Sequence, residues 1–243
     1  MELVRDLAEE QPAEFHRFLW KNHLAYAETY EIAERFGEEK LHPSRQLLFA
    51  DVSAVLRKRG VNPAADVRSA FEVGCSMGYL LRYMETRLFP SAEVLEGVDI
   101  DEYAVSAGAA HLAAVGSKVR IACADIEDLG GILQGRRFDV MMCPGVLMYV
   151  PQENAFGVVE SLLAHTGGLL VLTGPAHPDV DNARLVVSAR RERDQTFIHN
   201  LDRMIEGAGG RIVHRRWEGK RAVGGNTIYF VIAEPASAVS EPA

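Results

Sequence analysis

The chain has 243 residues, 48% of them hydrophobic and 25% charged, the balance of a soluble globular protein. At this length a core buries ~70% of the surface that the unfolded chain exposes, so no disulfide or metal staple is needed. A formal net charge of -8 argues against general binding to DNA, RNA or an anionic membrane. The three cysteines, Cys75, Cys123 and Cys143, are far apart and form no CxxC pair, so neither a disulfide framework nor a zinc ribbon is expected, and no metal site. No apolar run approaches the ~18 residues of a membrane span. The opening MELVRDLAEEQPAEF lacks the apolar core of a signal peptide, which makes the cytoplasm the expected compartment.

Residues 1 to about 60 read as helices. Phe15, Phe18, Leu19, Asn22 and Tyr26 fall near a 3/4 spacing, extended by Tyr30, Ile32, Ala33 and Phe36. Gly37 is a stop, His42-Pro43-Ser44 a restart, and Gln46 to Leu56 an apolar-faced helix. Gly60 and Asn62-Pro63 break the chain. From Ser69 the pattern alternates. Short apolar runs at 70–73, 93–98, 118–123, 138–143 and 169–173 read as strands. Helical stretches at 80–88, 102–115, 126–133 and 154–165 separate them. Alternation with short connections predicts a parallel sheet covered on both faces. Further on, Asp181 to Asp194 and Phe197 to Glu206 read as helices. Ile212 to Trp217 and Thr227 to Ala233 read as an antiparallel pair, and the small polar tail frays.

The informative stretch is Phe71-Glu72-Val73-Gly74-Cys75-Ser76-Met77-Gly78-Tyr79-Leu80, where a strand runs through a glycine turn into a helix. Glycines let backbone approach a ligand closely, and a helix start offers unpaired N–H groups. A dinucleotide loop requires glycine two and five positions after Gly74, where Ser76 and Tyr79 stand. A P-loop requires a lysine after its last glycine, and none follows Gly78.

The stretch resembles motif I of the class I S-adenosylmethionine-dependent methyltransferases, [DE]-x-G-x-G-x-G. Glu72, Gly74 and Gly78 match, and Ser76 replaces the middle glycine. The resemblance extends to Asp99, 25 residues past Gly74, and to Asp125 after the third strand. In that family the first acid holds the ribose diol and the second the adenine amino group. Ile100 and Ile126 correspond to the apolar faces that sandwich the ring. Asp101 can cap a helix as well as Asp99 can. Phe138 to Val150 resembles the family's motif IV in small-molecule enzymes. Cys143-Pro144-Gly145-Val146 replaces the [DNS]-P-P-[YFW] of enzymes that methylate base amines. Gly167-Gly168 resembles the usual turn into the fifth strand. The likeness covers residues 69 to 175, the terminal strand pair by pattern only, and residues 1 to 60 not at all.

The resemblance implies a Rossmann-like, doubly wound, mostly parallel seven-stranded sheet with an antiparallel last strand and an N-terminal helical extension. The expected division is an extension or lid over 1–62, a methyltransferase core over 63–235 and a flexible tail over 236–243. Cofactor contacts are expected at Glu72, Gly74, Cys75, Ser76, Gly78, Tyr79, Asp99, Ile100, Asp125, Ile126, Cys143 and Gly145. The cofactor is S-adenosyl-L-methionine, with S-adenosylhomocysteine as product. Methyl transfer chiefly needs alignment and dryness. An acceptor that must lose a proton needs a base as well. His177 after the fifth strand, His199 at the start of a helix that could face the cleft, and Tyr149 after the motif IV loop are the catalytic candidates. Arg45 could reach a methionine carboxylate and His42 could help close the site. The expected acceptor is a small polar metabolite, with an N, O or C atom of a sugar or natural product as target. A homodimer is compatible with the sequence. The alternatives are a non-catalytic cofactor-binding or scaffold protein on the same fold, and an NAD-dependent oxidoreductase. The basic stretch Arg211, His214, Arg215, Arg216, Lys220 and Arg221 reads as a solvated strand edge rather than a tRNA contact.

Overall fold

The structure is a computed structural model that describes residues 7–25, 36, 41–219 and 228–236. The expected pattern over Tyr26 to Ala33, the stop at Gly37, Lys220, Arg221 and the tail from 237 lie outside the described residues.

Helix α1 (Pro12–Lys21) and helix α2 (Pro43–Lys58) precede the sheet, followed by the single turn α3 (Pro63–Asp66). Each begins with proline at its first helical position, where the missing N–H costs nothing. The core then alternates: β1 (Ser69–Val73), α4 (Tyr79–Tyr83), β2 (Val94–Asp99), α5 (Glu102–Ala114), β3 (Arg120–Cys123), α6 (Leu129–Leu133), β4 (Phe138–Pro144), α7 (Gln152–Ala164) and β5 (Thr166–Gly174). A two-stranded ribbon, β6 (Ala189–Arg190) with β7 (Phe197–Ile198), leads to α8 (Leu201–Gly207), β8 (Gly210–Glu218) and β9 (Ile228–Pro235).

The large sheet has seven strands in the order β3-β2-β1-β4-β5-β9-β8. β9 runs antiparallel to both its neighbours, and the other pairings are parallel. Successive residues of the central strands enter opposite cores. Ala70, Val140, Met142 and Val171 pack with Leu48, Val52, Leu81 and Leu112 of α2, α4 and α5. Phe71, Val73, Met141 and Leu172 pack with Leu133, Val159, Leu162 and Met204 of α6, α7 and α8. Both faces are covered, so the strands read as continuous apolar runs. The order reverses between β1 and β4, and the crevice beyond their carboxyl ends is where an open α/β sheet takes ligand.

Three expectations are corrected. Asp181 to Asp194 is not a helix: a 3₁₀ turn at Asn182–Arg184 gives way to β6. The buried Asn182 overrides local propensity, since its side chain bonds the carbonyls of Pro175 and His199, the N–H of His177 and Trp217 Nε1. The expected helix from Phe197 starts only at Leu201, with the Asn200 side chain accepting from Arg203 N–H at 2.9 Å. Gly167 and Gly168 are not a turn. They sit in β5, where a Cβ on Gly168 would stand 2.5 Å from the Asp139 carbonyl oxygen at an irregularity in the β4–β5 register.

The basic edge is also not simply solvated. Arg216 makes a two-pronged pair with Asp51 of α2 at 2.8 and 2.9 Å, Arg215 pairs with Asp181 and Asp202, and Arg211 pairs with Glu234. These charges fasten β8 to its neighbours.

Candidate cofactor and acceptor site

The loop after β1 is shaped by three positions with positive φ: Gly74 at 74°, Ser76 at 49° and Gly78 at 81°. A side chain is strained at each. A Cβ on Gly74 would also overlap Cγ2 of Val146, which packs against the loop from beyond β4. Ser76 takes the conformation that the family pattern fills with glycine, and its N–H donates to Asp99 Oδ2 at 2.7 Å.

That bond fixes Asp99 at the tip of β2. Its Oδ1 accepts from Asp101 N–H at 3.0 Å. Each carboxylate oxygen still has a lone pair for a diol. Burial pushes the Asp99 carboxyl above its ordinary value, partly offset by those two N–H groups. Asp101 turns the other way. It caps α5 by accepting from Ala104 N–H at 3.0 Å and meets His23 Nδ1 at 2.7 Å. Asp101, and not Asp99, is thus the cap of α5.

A cavity of about 570 Å³ lies over the strand tips. Gly74, Ser76, Tyr79 and Asp99 line one end. Ile100, Asp125 and Ile126 line the side toward β3, and Pro144, Gly145 and Tyr149 the side toward β4. Asp125 accepts from Glu127 N–H at 3.2 Å and from Arg17 Nη2 of α1 at 2.6 Å. Arg17 also reaches Glu127 Oε2 at 2.7 Å. From α2, Arg45 enters the cavity and donates to the Pro144 carbonyl and Thr173 Oγ1, both at 3.3 Å.

The remaining expected residues lie apart from this wall. Glu72 is fully buried, its Oε2 has no hydrogen-bond partner among the described residues, and burial pushes its carboxyl up to about 8 against the attraction of Arg45. Gly78 precedes α4 and faces Leu112 and Ile121. Cys75 and Cys143 are buried, and burial raises both thiols, Cys143 to about 12, so neither is a nucleophile or ready metal ligand.

Of the three catalytic candidates, only Tyr149 is on the cavity wall. His199 is 3% exposed, with Nε2 2.8 Å from the Leu147 carbonyl oxygen and Nδ1 2.6 Å from Ser188 Oγ. A carbonyl only accepts, so the proton sits on Nε2 and Nδ1 accepts from the serine. Burial lowers its basicity further. It pins the turn that carries Tyr149. His177 Nδ1 accepts from the N–H groups of Asp179 and Val180, closing a turn outside the cavity. His42 caps α2, bonding Ser44.

Sequence reasoning missed the face of α1. Ala13, Arg17 and Trp20, at i, i+4 and i+7, look into the cavity with Glu14 beside them. The apolar spacing instead drew attention to Phe18, which is 53% exposed. The available signal was the mixed polar–aromatic stripe, which suits a cavity wall better than a core.

The residues fit an adenosyl cofactor: an acid with open lone pairs at the β2 tip, a second acid beyond β3, and isoleucines following each. Residues 70–167 match the profile of a methyltransferase domain family. The fold is that of the class I methyltransferases. A magnesium protoporphyrin IX methyltransferase from Synechocystis, crystallised with S-adenosylmethionine, is 18% identical over 96% of both chains, with a TM-score of 0.56. A S-adenosylmethionine-dependent methyltransferase from Clostridium acetobutylicum is 12% identical over 78% of this chain and 92% of its own, with a TM-score of 0.57. The cyclase SpnF is 15% identical over 78% of this chain and 82% of its own, with a TM-score of 0.60. No curated protein sequence matches the chain. Among the described residues, no helix is long and apolar enough to cross a membrane.

Proposed function

We propose that the protein is a S-adenosylmethionine-dependent methyltransferase acting on a small polar metabolite. The observation that carries this reading is that Asp99 and Asp125 line one cavity, each followed by an isoleucine, with Asp99 bound to the strained β1 loop through Ser76. Asp99 would hold the ribose diol, Asp125 the adenine amino group, and Ile100 and Ile126 the two faces of the ring. Arg45 would take the methionine carboxylate, whose paired oxygens suit a guanidinium fork. When bound, the cofactor supplies an electrophilic methyl group. The chain's own contribution is alignment and exclusion of water, which can account for ~7–11 kcal/mol of barrier lowering.

We further propose that residues 1–62 act as a lid, 63–235 as the core and 236–243 as a flexible tail. The lid reading is supported by Arg17, which ties α1 to the acid assigned to adenine. The three free cysteines support a reducing, cytoplasmic setting.

Calorimetry with S-adenosylhomocysteine and with NAD tests the assignment. Saturable binding of the first and none of the second is expected, followed by transfer of labelled methyl into a metabolite pool. Absence of homocysteine-nucleoside binding to folded protein would overturn the reading. Binding without transfer would leave a cofactor-binding scaffold.

A further inference from the structure

We infer that the α1 side of the cavity is an acceptor subsite for a positively charged amine carried on a flat or apolar body. The inference rests on the cofactor reading above. The α1 wall is aromatic: Trp20 and Tyr149 meet edge to face with centroids 5.3 Å apart, and both line the cavity. His16 buttresses Tyr149 from behind at 5.0 Å. Such rings attract a cation held over a face, and they accept an apolar body equally well.

The charge balance selects among acceptors. Four carboxylates line the cavity, Glu14, Asp99, Asp125 and Glu127, against two guanidiniums, Arg17 and Arg45. The cofactor carries one net positive charge, from its sulfonium with a zwitterionic methionine end. One negative charge is then unmatched. Asp99 is bound by two backbone N–H groups, and Asp125 and Glu127 share Arg17. Among the described residues Glu14 makes no ion pair, and it sits on the same arc of α1 as Arg17 and Trp20. Glu14, exposed at the cavity rim, is therefore the lining carboxylate that no described cation neutralises, on the helix that carries Trp20. Arg45, the group that would favour an anionic acceptor, is committed in the cofactor reading to the methionine carboxylate, and it donates to the Pro144 carbonyl and Thr173 Oγ1 between the tips of β4 and β5.

Three probes of one size and different charge test this on the full chain saturated with S-adenosylhomocysteine: benzylamine, benzyl alcohol and benzoate. Saturation is measured first, by calorimetry. Failure there would overturn the cofactor reading and this inference with it. With saturation established, benzylamine is expected to bind about tenfold or more tighter than either other probe. Its binding should change tryptophan emission with the same midpoint, because Trp217 donates to Asn182 away from the cavity. Glu14→Gln should abolish the preference for benzylamine while leaving the S-adenosylhomocysteine dissociation constant unchanged. Equal affinity for the neutral probe, a preference for benzoate, no binding of benzylamine, or an undiminished preference in Glu14→Gln would each overturn the amine subsite and leave the cofactor reading intact.

Discussion

Arg17 donates to Asp125 at 2.6 Å, joining residues 108 positions apart in the chain. The bond ties the first helix to the cavity wall on the side of β3. Side-chain exposures of 32% and 15% place the pair near the surface, where such bridges contribute only about 0.5–1 kcal/mol. Arg17→Met should therefore lower Tm by only about 2 °C. It should accelerate release of S-adenosylhomocysteine several-fold if α1 covers the ligand. Stopped-flow displacement measures the release rate, and an unchanged rate would detach α1 from cofactor retention.

The two acids at the β2 tip should separate cleanly by experiment. Asp99→Ala is expected to weaken S-adenosylhomocysteine binding by ~1–3 kcal/mol through loss of a charged acceptor. Asp101→Ala removes the α5 cap and should cost about 1 kcal/mol of stability, with a much smaller effect on affinity. Paired calorimetry and thermal melts read both. The reverse pattern would exchange the two assignments.

Glu72 gives the protein a pH signature. Its carboxyl titrates near 8 in the fold, against 4.5 for an exposed glutamate. Between those values the folded state holds a proton that the unfolded state has released. Stability contributed by this group is present below about pH 4.5 and is lost as pH rises to about 8. Glu72→Gln mimics the protonated form and lacks the titration. The difference in Tm between variant and wild type should therefore grow in the variant's favour from pH 5 to pH 8, by several degrees. Parallel melting curves across that range would show that Glu72 is ionised in the fold.

His199 should behave as a positioning residue. Its ring joins the Leu147 carbonyl to Ser188 and so holds the turn bearing Tyr149. His199→Ala leaves buried partners unsatisfied and should cost ~1–3 kcal/mol of stability. It should raise KM for the acceptor more than it changes affinity for S-adenosylhomocysteine. Because the folded-state pKa is lowered, wild type should lose stability as pH falls below about 6.5, and the variant should lack that slope. A pure loss of kcat with an unchanged acceptor KM would instead argue that the imidazole takes part in proton transfer.

The sheet was legible because its strands are buried on both faces. Phe71-Glu72-Val73 and Val140-Met141-Met142 cannot be solvent-facing, and glycines punctuate the turns. The β1 loop, Asp99 and Asp125 were legible because their spacing along the chain is set by β–α–β geometry. Asp181 to Asp194 misled because its composition suits a helix while Asn182, at zero exposure, is committed to four partners outside that segment. The α1 wall was hidden for a related reason. Arg17 and Trp20 gain their meaning from Asp125 and Tyr149, and contacts across more than a hundred residues leave no local periodicity.

The meeting of Gly74 and Val146 bears on any effort to redirect this scaffold. A methyl of Val146 fills the place where residue 74 would carry its first side-chain carbon. The two loops are thus cut to one another, like adjoining keystones. Grafting a foreign 144–150 segment to change acceptor preference would shift the loop after β1 too, unless position 146 keeps its branched shape or the Phe71–Gly78 turn is transplanted with it.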